Sequence, residues 1–228
     1  LYFAGHDRIF PEGYSQVVEK LRGDTRVLLQ HEVRQIDYTG ELVDVLTNHG
    51  SYFAYHVLVT VPLGVLQAGS IGFNPRLPRG KREAIRKTRM GVFNKVYLKF
   101  DRVFWDKDSE LIGFIGGDDE WPEIVNYHKL AGQPVLMAIS AGATGAKNEN
   151  RSDSELIASI MTCLRRVYGE SIPEPSGHQV TRWNSDPHSL GSYTYVPVGS
   201  KQGLRRQLGM QLDNKLFFAG EATSQFFP

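Results

Sequence analysis

Apolar and polar positions alternate in short runs through the first quarter of the chain. Arg26–Leu29, Glu32–Tyr38 and Leu42–Thr47 each read as strands, and Tyr52-Phe53-Ala54 opens another. Thr39-Gly40 and Asn48-His49-Gly50 supply turns between them, so the pattern predicts an antiparallel meander. His56–Val61 is nearly all apolar, which predicts a strand covered on both faces and broken at Pro62. Ahead of the meander, Ser15–Leu21 predicts a short helix with Val17, Val18 and Leu21 on its apolar face and Gly23 as its stop.

The pattern changes after Ala68. Pro75, Pro78 and Gly80 mark a linker, and Lys81–Thr88 reads as a short helix. Val92–Phe100 alternates with period two: Phe93, Lys95, Tyr97 and Lys99 share one face of a strand, and Asn94, Val96, Leu98 and Phe100 share the other. Residues 101–145 read as short strands and loops, and Lys147–Asn150 as a polar loop. Ser152–Tyr168 carries Leu156, Ile157, Ile160, Met161, Leu164 and Val167 at helical spacing, behind a Ser152-x-x-Glu155 capping box and ahead of Gly169. Val180–Trp183, Ser192–Val196 and Leu216–Ala219 predict the last strands. The expected class is α/β (α+β). A middle segment with its own sheet and helices is inserted between two parts of another domain: 1–68 and 176–228 on one side, 69–175 on the other.

Composition narrows the function. Of 228 residues, 41 % are hydrophobic and 22 % charged, which excludes wholesale disorder. The formal net charge of +1 gives no overall pull toward nucleic acid or anionic lipid, so nucleic acid is not an expected partner. No apolar run approaches the roughly 20 residues that span a bilayer. The lone Cys163 excludes an internal disulfide and a Cys-only metal cage, and fits a reducing, intracellular compartment. There is no G-x-G-x-x-G, no Walker loop, no H-E-x-x-H and no G-x-S-x-G, so no metal site is expected. One local imbalance stands out. Residues 76–102 hold ten Lys and Arg against Glu83 and Asp101, either an anion-binding patch or the solvated face of a helix.

Three segments could carry chemistry. In Leu216-Phe217-Phe218-Ala219-Gly220-Glu221-Ala222-Thr223, an apolar strand meets a glycine and an acid. Glycine admits a ligand close to the backbone, and a carboxylate at a strand's end can hold a ribose or ribityl hydroxyl. The alternative is a buried strand with a surface turn. Between Val180 and Val196, Trp183, Tyr193 and Tyr195 lie near Pro187 and Gly191. Aromatic faces stack on planar cofactors or attract cationic amines, and equally they fill cores. On Phe93–Phe100, Lys95 sits between two aromatics, either partly buried or with its stem over the rings and its head in water.

Together these motifs resemble the flavin-containing amine oxidases, the family of polyamine oxidases, monoamine oxidases and lysine-specific histone demethylases. Phe10-Pro11-Glu12-Gly13-Tyr14 is similar to the segment opening that family's second half. Val59-Thr60-Val61-Pro62-Leu63-Gly64-Val65-Leu66 resembles its V-T-V-P-L-G-V-L stretch, and Asn94-Lys95-Val96 with Phe104-Trp105 its N-K-V and F-W. Arg182-Trp183 through Asp186-Pro187 to Gly191-Ser192-Tyr193 resembles its flavin-side segment, and Phe217–Thr223 its second FAD motif.

The resemblance implies an FAD cofactor and oxidation of an amine C–N bond to an imine, hydrolysed to aldehyde and amine, while O2 becomes H2O2. It implies catalytic roles for Lys95, holding a water by flavin N5, and Tyr193, guiding the amine. Cofactor contacts fall to Val33 (adenine, through its backbone), Pro62, Trp183 (isoalloxazine), Gly220, Glu221 (ribityl–phosphate region) and Ala222. Monoamine oxidases attach flavin through a cysteine near the last motif. Phe218–Ser224 holds none, so non-covalent FAD is expected. Polyamine oxidases are the closest match in motif, with histone demethylases as the alternative. The family's amino-terminal dinucleotide fold is absent, so the chain is expected to correspond to the second half of such an enzyme. Its partner would be the missing amino-terminal half, and alone it would not hold FAD tightly. Two other readings are a non-catalytic interaction fragment using the basic stretch, and a flavin-binding homologue without activity.

Overall fold

A computed structural model describes residues 9, 10, 13–114, 120–200 and 202–225. Pro11 and Glu12 of the first motif lie outside the described residues. The order along the chain is α1 (Ser15–Arg22), β1 (Val33–Asp37), β2 (Val43–Thr47), β3 (Gly50–Ala54), β4 (Val57–Val59), α2 (Leu63–Ala68), β5 (Gly72–Asn74), α3 (Arg79–Lys87), β6 (Arg89–Gly91) and β7 (Phe93–Lys99). It continues with β8 (Leu111–Gly113), β9 (Glu123–Asn126), α4 (Tyr127–Ala131), β10 (Val135–Ala141), α5 (Gly142–Asn148), α6 (Asp153–Tyr168), β11 (Gly177–Val180), β12 (Tyr193–Tyr195), α7 (Leu204–Gly209) and β13 (Leu216–Phe218). A 3-10 turn over Glu221–Thr223 follows. Mixed α/β architecture with several sheets is the class expected from the sequence.

The chain forms two compact units. The first comprises 1–29, 95–139 and 153–180, and the second 30–94, 140–152 and 181–228, so the division falls inside β7 between Asn94 and Lys95.

The first unit is built on a sheet of order β11-β7-β10-β9-β8. The period-two alternation of β7 is realised: Val96 and Leu98 are buried, whereas Lys95 and Tyr97 are half-buried. Helix α6 lays Leu156, Ile160, Met161 and Leu164 into the same core as Val96, Leu98, Phe100, Ile124 and Leu136. Each such aliphatic side chain contributes on the order of 1.5–3 kcal/mol by leaving water. Trp105, from the F-W motif, is a core residue. Its Nε1 donates to Oδ1 of fully buried Asn126 at 2.8 Å, while Asn126 Nδ2 donates to Ser109 O at 2.8 Å and to Asp106 O at 3.2 Å. One buried amide thereby fixes the 105–109 loop.

The second unit holds the meander β3-β2-β1, all antiparallel, with β5 added parallel to β1. A two-stranded parallel pair, β4 with β13, matches Val57 to Leu216 and Val59 to Phe218. Its core contains Ile36, Val43, Val59, Leu63, Ala84, Ile85, Leu204, Leu208, Leu216 and Phe218.

Several expectations are corrected: Val180–Trp183 is strand only at Val180, where β11 ends, and Lys147–Asn150 is loop only past Asn148, where α5 ends. Arg26–Leu29 is not a strand; Val27, Leu28 and Leu29 are exposed, so the run packs no apolar face, and β propensity is chiefly a matter of such packing. His56–Val61 is not covered on both faces. Only Val57–Val59 is strand; one face of the β4–β13 ribbon sends Val59, Leu216 and Phe218 into the core, and Leu58 is exposed on the other. Among the described residues no helix is long and apolar enough to cross a membrane, and no cluster of three or more His, Cys, Asp or Glu could hold a metal ion.

Candidate functional site

The site grows from the end of the β4–β13 pair. Ala219 N donates to Val59 O at 3.1 Å, extending the ladder one residue past β13. The chain then turns at Gly220, whose φ of 119° is closed to most side chains and is freely adopted by glycine. A Cβ there would meet only Thr60 O, at 3.8 Å, so the backbone of Gly220 is left accessible. The next three residues close as a 3-10 turn, with Thr223 Oγ1 donating to Gly220 O at 2.8 Å.

The Glu221 carboxylate reaches back to β12. It accepts Thr194 Oγ1 at 2.7 Å and Thr194 N at 3.2 Å. Arg205, from α7, locks the arrangement: its side chain is largely buried and lies 3.5 Å from Glu221 Oε1. The same guanidinium donates to Glu221 O at 3.1 Å and Thr194 O at 3.0 Å. A carboxylate has about four acceptor positions, so Oε2 keeps capacity for a ligand hydroxyl.

Trp183 is held through its backbone. Its N–H donates to Oδ1 of Asn94, a buried side chain at 5 % exposure, and its carbonyl accepts Gly191 N at 2.8 Å. Asn94 Nδ2 in turn donates to Glu149 Oε1 at 2.7 Å. Glu149 also accepts Asn184 N at 2.9 Å and Ser185 Oγ at 2.7 Å. With its backbone pinned, the indole is still 40 % exposed. Tyr193 pairs with Gly91 across β12–β6, meets Phe93 edge-on at 6.4 Å between ring centroids, and remains 46 % exposed. Large aromatic area left open beside a concavity is what a planar or cationic ligand uses.

These pieces enclose one cavity of about 290 Å³. Pro62, Trp183, Tyr193, Gly220, Glu221 and Ala222 all line it, although they come from segments as far apart as residues 62 and 222. Val33, at the start of β1, and Lys95, on β7 in the first unit, are not among its lining residues. The arrangement passes a simple fit test for a flavin nucleotide: an apolar and aromatic wall for a flat ring, bare glycine backbone for close approach, and an anchored carboxylate for hydroxyls. Sequence reading did not assign Asn94, Glu149, Thr194 or Arg205. Asn94 and Thr194 lie inside quoted motifs or beside them. Arg205 and Glu149 carried no signal, since a charged residue in a polar stretch reads as surface.

Behind the wall lies a buried cation. Lys81, on α3, is 3 % exposed; its Nζ donates to Leu208 O at 2.6 Å and sits 3.6 Å from the centroid of Phe218. Burial disfavours its charge and lowers its pKa to about 8. The unfolded chain, with lysine near 10.5, binds the proton more tightly, so this group's stability contribution is present above that value and lost as pH falls through 8. Between pH 7.5 and 9.5 the native state therefore gains about 2 kcal/mol from this group. Urea melts at the two pH values should show the gain, and Lys81→Met should abolish it. An unchanged pH dependence in Lys81→Met would reject the assignment.

Comparison with known proteins places this fold and its cavity. The family described as flavin containing amine oxidoreductase matches residues 1–228, and the chain belongs to that family, whose cofactor is FAD. It is 38 % identical over 98 % of its length to polyamine oxidase 2 of Arabidopsis thaliana, covering 45 % of that protein. It is 36 % identical over 99 % of its length to lysine-specific histone demethylase 1 homolog 3 of the same plant, covering 15 % of it. The chain thus spans less than half the length of these relatives. Among solved structures, putrescine oxidase bound to putrescine shares the fold with a TM-score of 0.77 at 21 % identity, over 93 % of this chain and 48 % of that one.

Proposed function

We propose that the chain carries part of the FAD site and the aromatic substrate face of an amine oxidase acting on a polyamine or related secondary amine. In this reading, 1–68 and 176–228 belong to the FAD-binding domain and 69–175 to the substrate-binding domain. The observation that supports it most is the gathering of Trp183, Tyr193 and the Gly220-Glu221 turn around one cavity, within a member of this family.

Pro62 and Trp183 would hold the flat face of the flavin. Gly220 and Ala222 would let its chain approach the backbone, Glu221 would accept from its hydroxyls, and the backbone of Val33 would contact the adenine. Attachment is non-covalent, since Phe218–Ser224 holds no cysteine. Flavin, when bound, supplies the two-electron chemistry that the side chains lack. Tyr193 offers its ring to the cationic amine, and a dry aromatic surface favours the neutral amine from which oxidation proceeds. Lys95 holds a water through its ammonium group. The net reaction takes amine, O2 and water to aldehyde, amine and H2O2 through an imine.

A second reading, demethylation of a methylated lysine, is favoured by the several relatives at 34–36 % identity that are named histone demethylases. Peroxide release by the intact enzyme should separate the two. Spermine or spermidine is expected to be turned over at least tenfold more efficiently than a monoamine or a methyl-lysine peptide. Absence of polyamine turnover would overturn the first reading, and peptide-only turnover would establish the second.

A further inference from the structure

The basic stretch that the proposed reaction leaves unused is not evenly solvated. On α3, apart from buried Lys81, its charges sort into two rows at i, i+4 spacing. Arg79, Glu83 and Lys87 form one row. Arg79 Nε contacts Glu83 Oε1 at 3.0 Å, and Arg79, Lys87 and Arg86 all hold the Glu83 carboxyl below its ordinary range. Arg82 and Arg86 form the other row, which contains no acid. Arg89, two residues past the helix, joins them around a separate open cavity lined also by Gln67 and Ile85.

None of Arg82, Arg86 and Arg89 forms an ion pair among the described residues. Cationic side chains at a helix carboxyl end commonly serve its free carbonyls. That task is met here by another residue: Gln67 Nε2 donates to both Ile85 O and Thr88 O at 2.7 Å. Arg82 is anchored by one bond from its Nε to Leu77 O at 2.9 Å, which fixes the guanidinium and leaves its terminal nitrogens for other use. Three arginines thus line one concavity that has no acid in its lining; Glu83, in the neighbouring row, acts on Arg86 from outside it, and the helix end is already served by Gln67.

We infer that this cavity is a binding site for a phosphate-class anion, with Arg82, Arg86 and Arg89 as its ligands. Guanidinium forks match tetrahedral oxyanions bidentately, and three of them suit a multiply charged group better than a single carboxylate. The site is separate from the aromatic cavity: the two share no lining residue.

The test titrates the full chain by calorimetry at fixed ionic strength with pyrophosphate and, separately, with a short DNA duplex. Wild type, Arg86→Ala/Arg89→Ala and Lys87→Ala are compared, with folding of each checked by circular dichroism. Saturable binding is expected with at least one probe, weakened about tenfold or more in the double variant and less than twofold in Lys87→Ala. Pyrophosphate binding would assign the site to a small phosphate compound, and duplex binding alone to a nucleic-acid backbone. No saturable binding of either probe would overturn the inference. So would an equal loss in Lys87→Ala, because that would report net charge and not this cavity.

Discussion

Replacing Lys95 with Met is expected to slow anaerobic reduction of the flavin by amine about a hundredfold in the intact enzyme, with the flavin still bound. A side chain that positions a water or handles a proton at the reacting centre typically contributes factors of this size or more. Met keeps the length of the stem and removes the ammonium. The strand itself should tolerate the change. Lys95 lies on the half-buried face of β7, while the opposite face supplies Val96 and Leu98 to the core at 2 % and 0 % exposure. Stopped-flow absorbance measures the reductive rate directly, and a thermal melt checks the fold. A rate within threefold of wild type would remove Lys95 from the site.

The second large effect is expected at Gly64. A Cβ at this position would stand 2.6 Å from Leu190 Cβ, Leu190 O and Ser189 O, well inside any real contact. Two of those atoms are backbone oxygens and cannot rotate away. Gly64→Ala must therefore displace either α2 or the 189–190 loop, at a cost of about 1–3 kcal/mol. The loop runs into Gly191, whose N–H holds the Trp183 carbonyl, so the disturbance reaches the aromatic wall. Lower stability in urea should accompany weaker flavin retention. Stability within about 0.5 kcal/mol of wild type would show that the approach of α2 to this loop is not tight. The same contact gives a physical reason for the glycine within the Val59–Leu66 motif.

Much of the fold follows from local pattern. The strand at 93–99 and the helix at 153–168 are long enough for their periods of 2 and 3.6 to be read without ambiguity. The meander was legible because Thr39-Gly40 and Asn48-His49-Gly50 punctuate it. Helices α2, α4, α5 and α7 were not legible. They span five to seven residues, too few turns for a helical stripe to emerge, and they are held by what they pack on. Strands β4, β12 and β13 were legible as strand-like runs though only three residues of each pair, whereas β6 was not, since its Arg89-Met90-Gly91 carries no strand pattern and only its pairing with β12 makes it one.

The candidate site divides the same way. Residue types alone left Trp183, Tyr193 and Lys95 balanced between core, surface and chemistry, and only the resemblance to a family tipped them. By itself the sequence determined the class of fold, the family and the aromatic and Gly-Glu segments from which a site could be made, because those are carried by local spacing and motif. Tertiary structure alone decided that Pro62, Trp183, Tyr193 and Glu221 share a cavity. It alone showed that Asn94, Glu149 and Arg205 hold them in place. Those relations join residues tens of positions apart, and a hydrogen bond or a shared wall exists only once the chain has closed the distance between them.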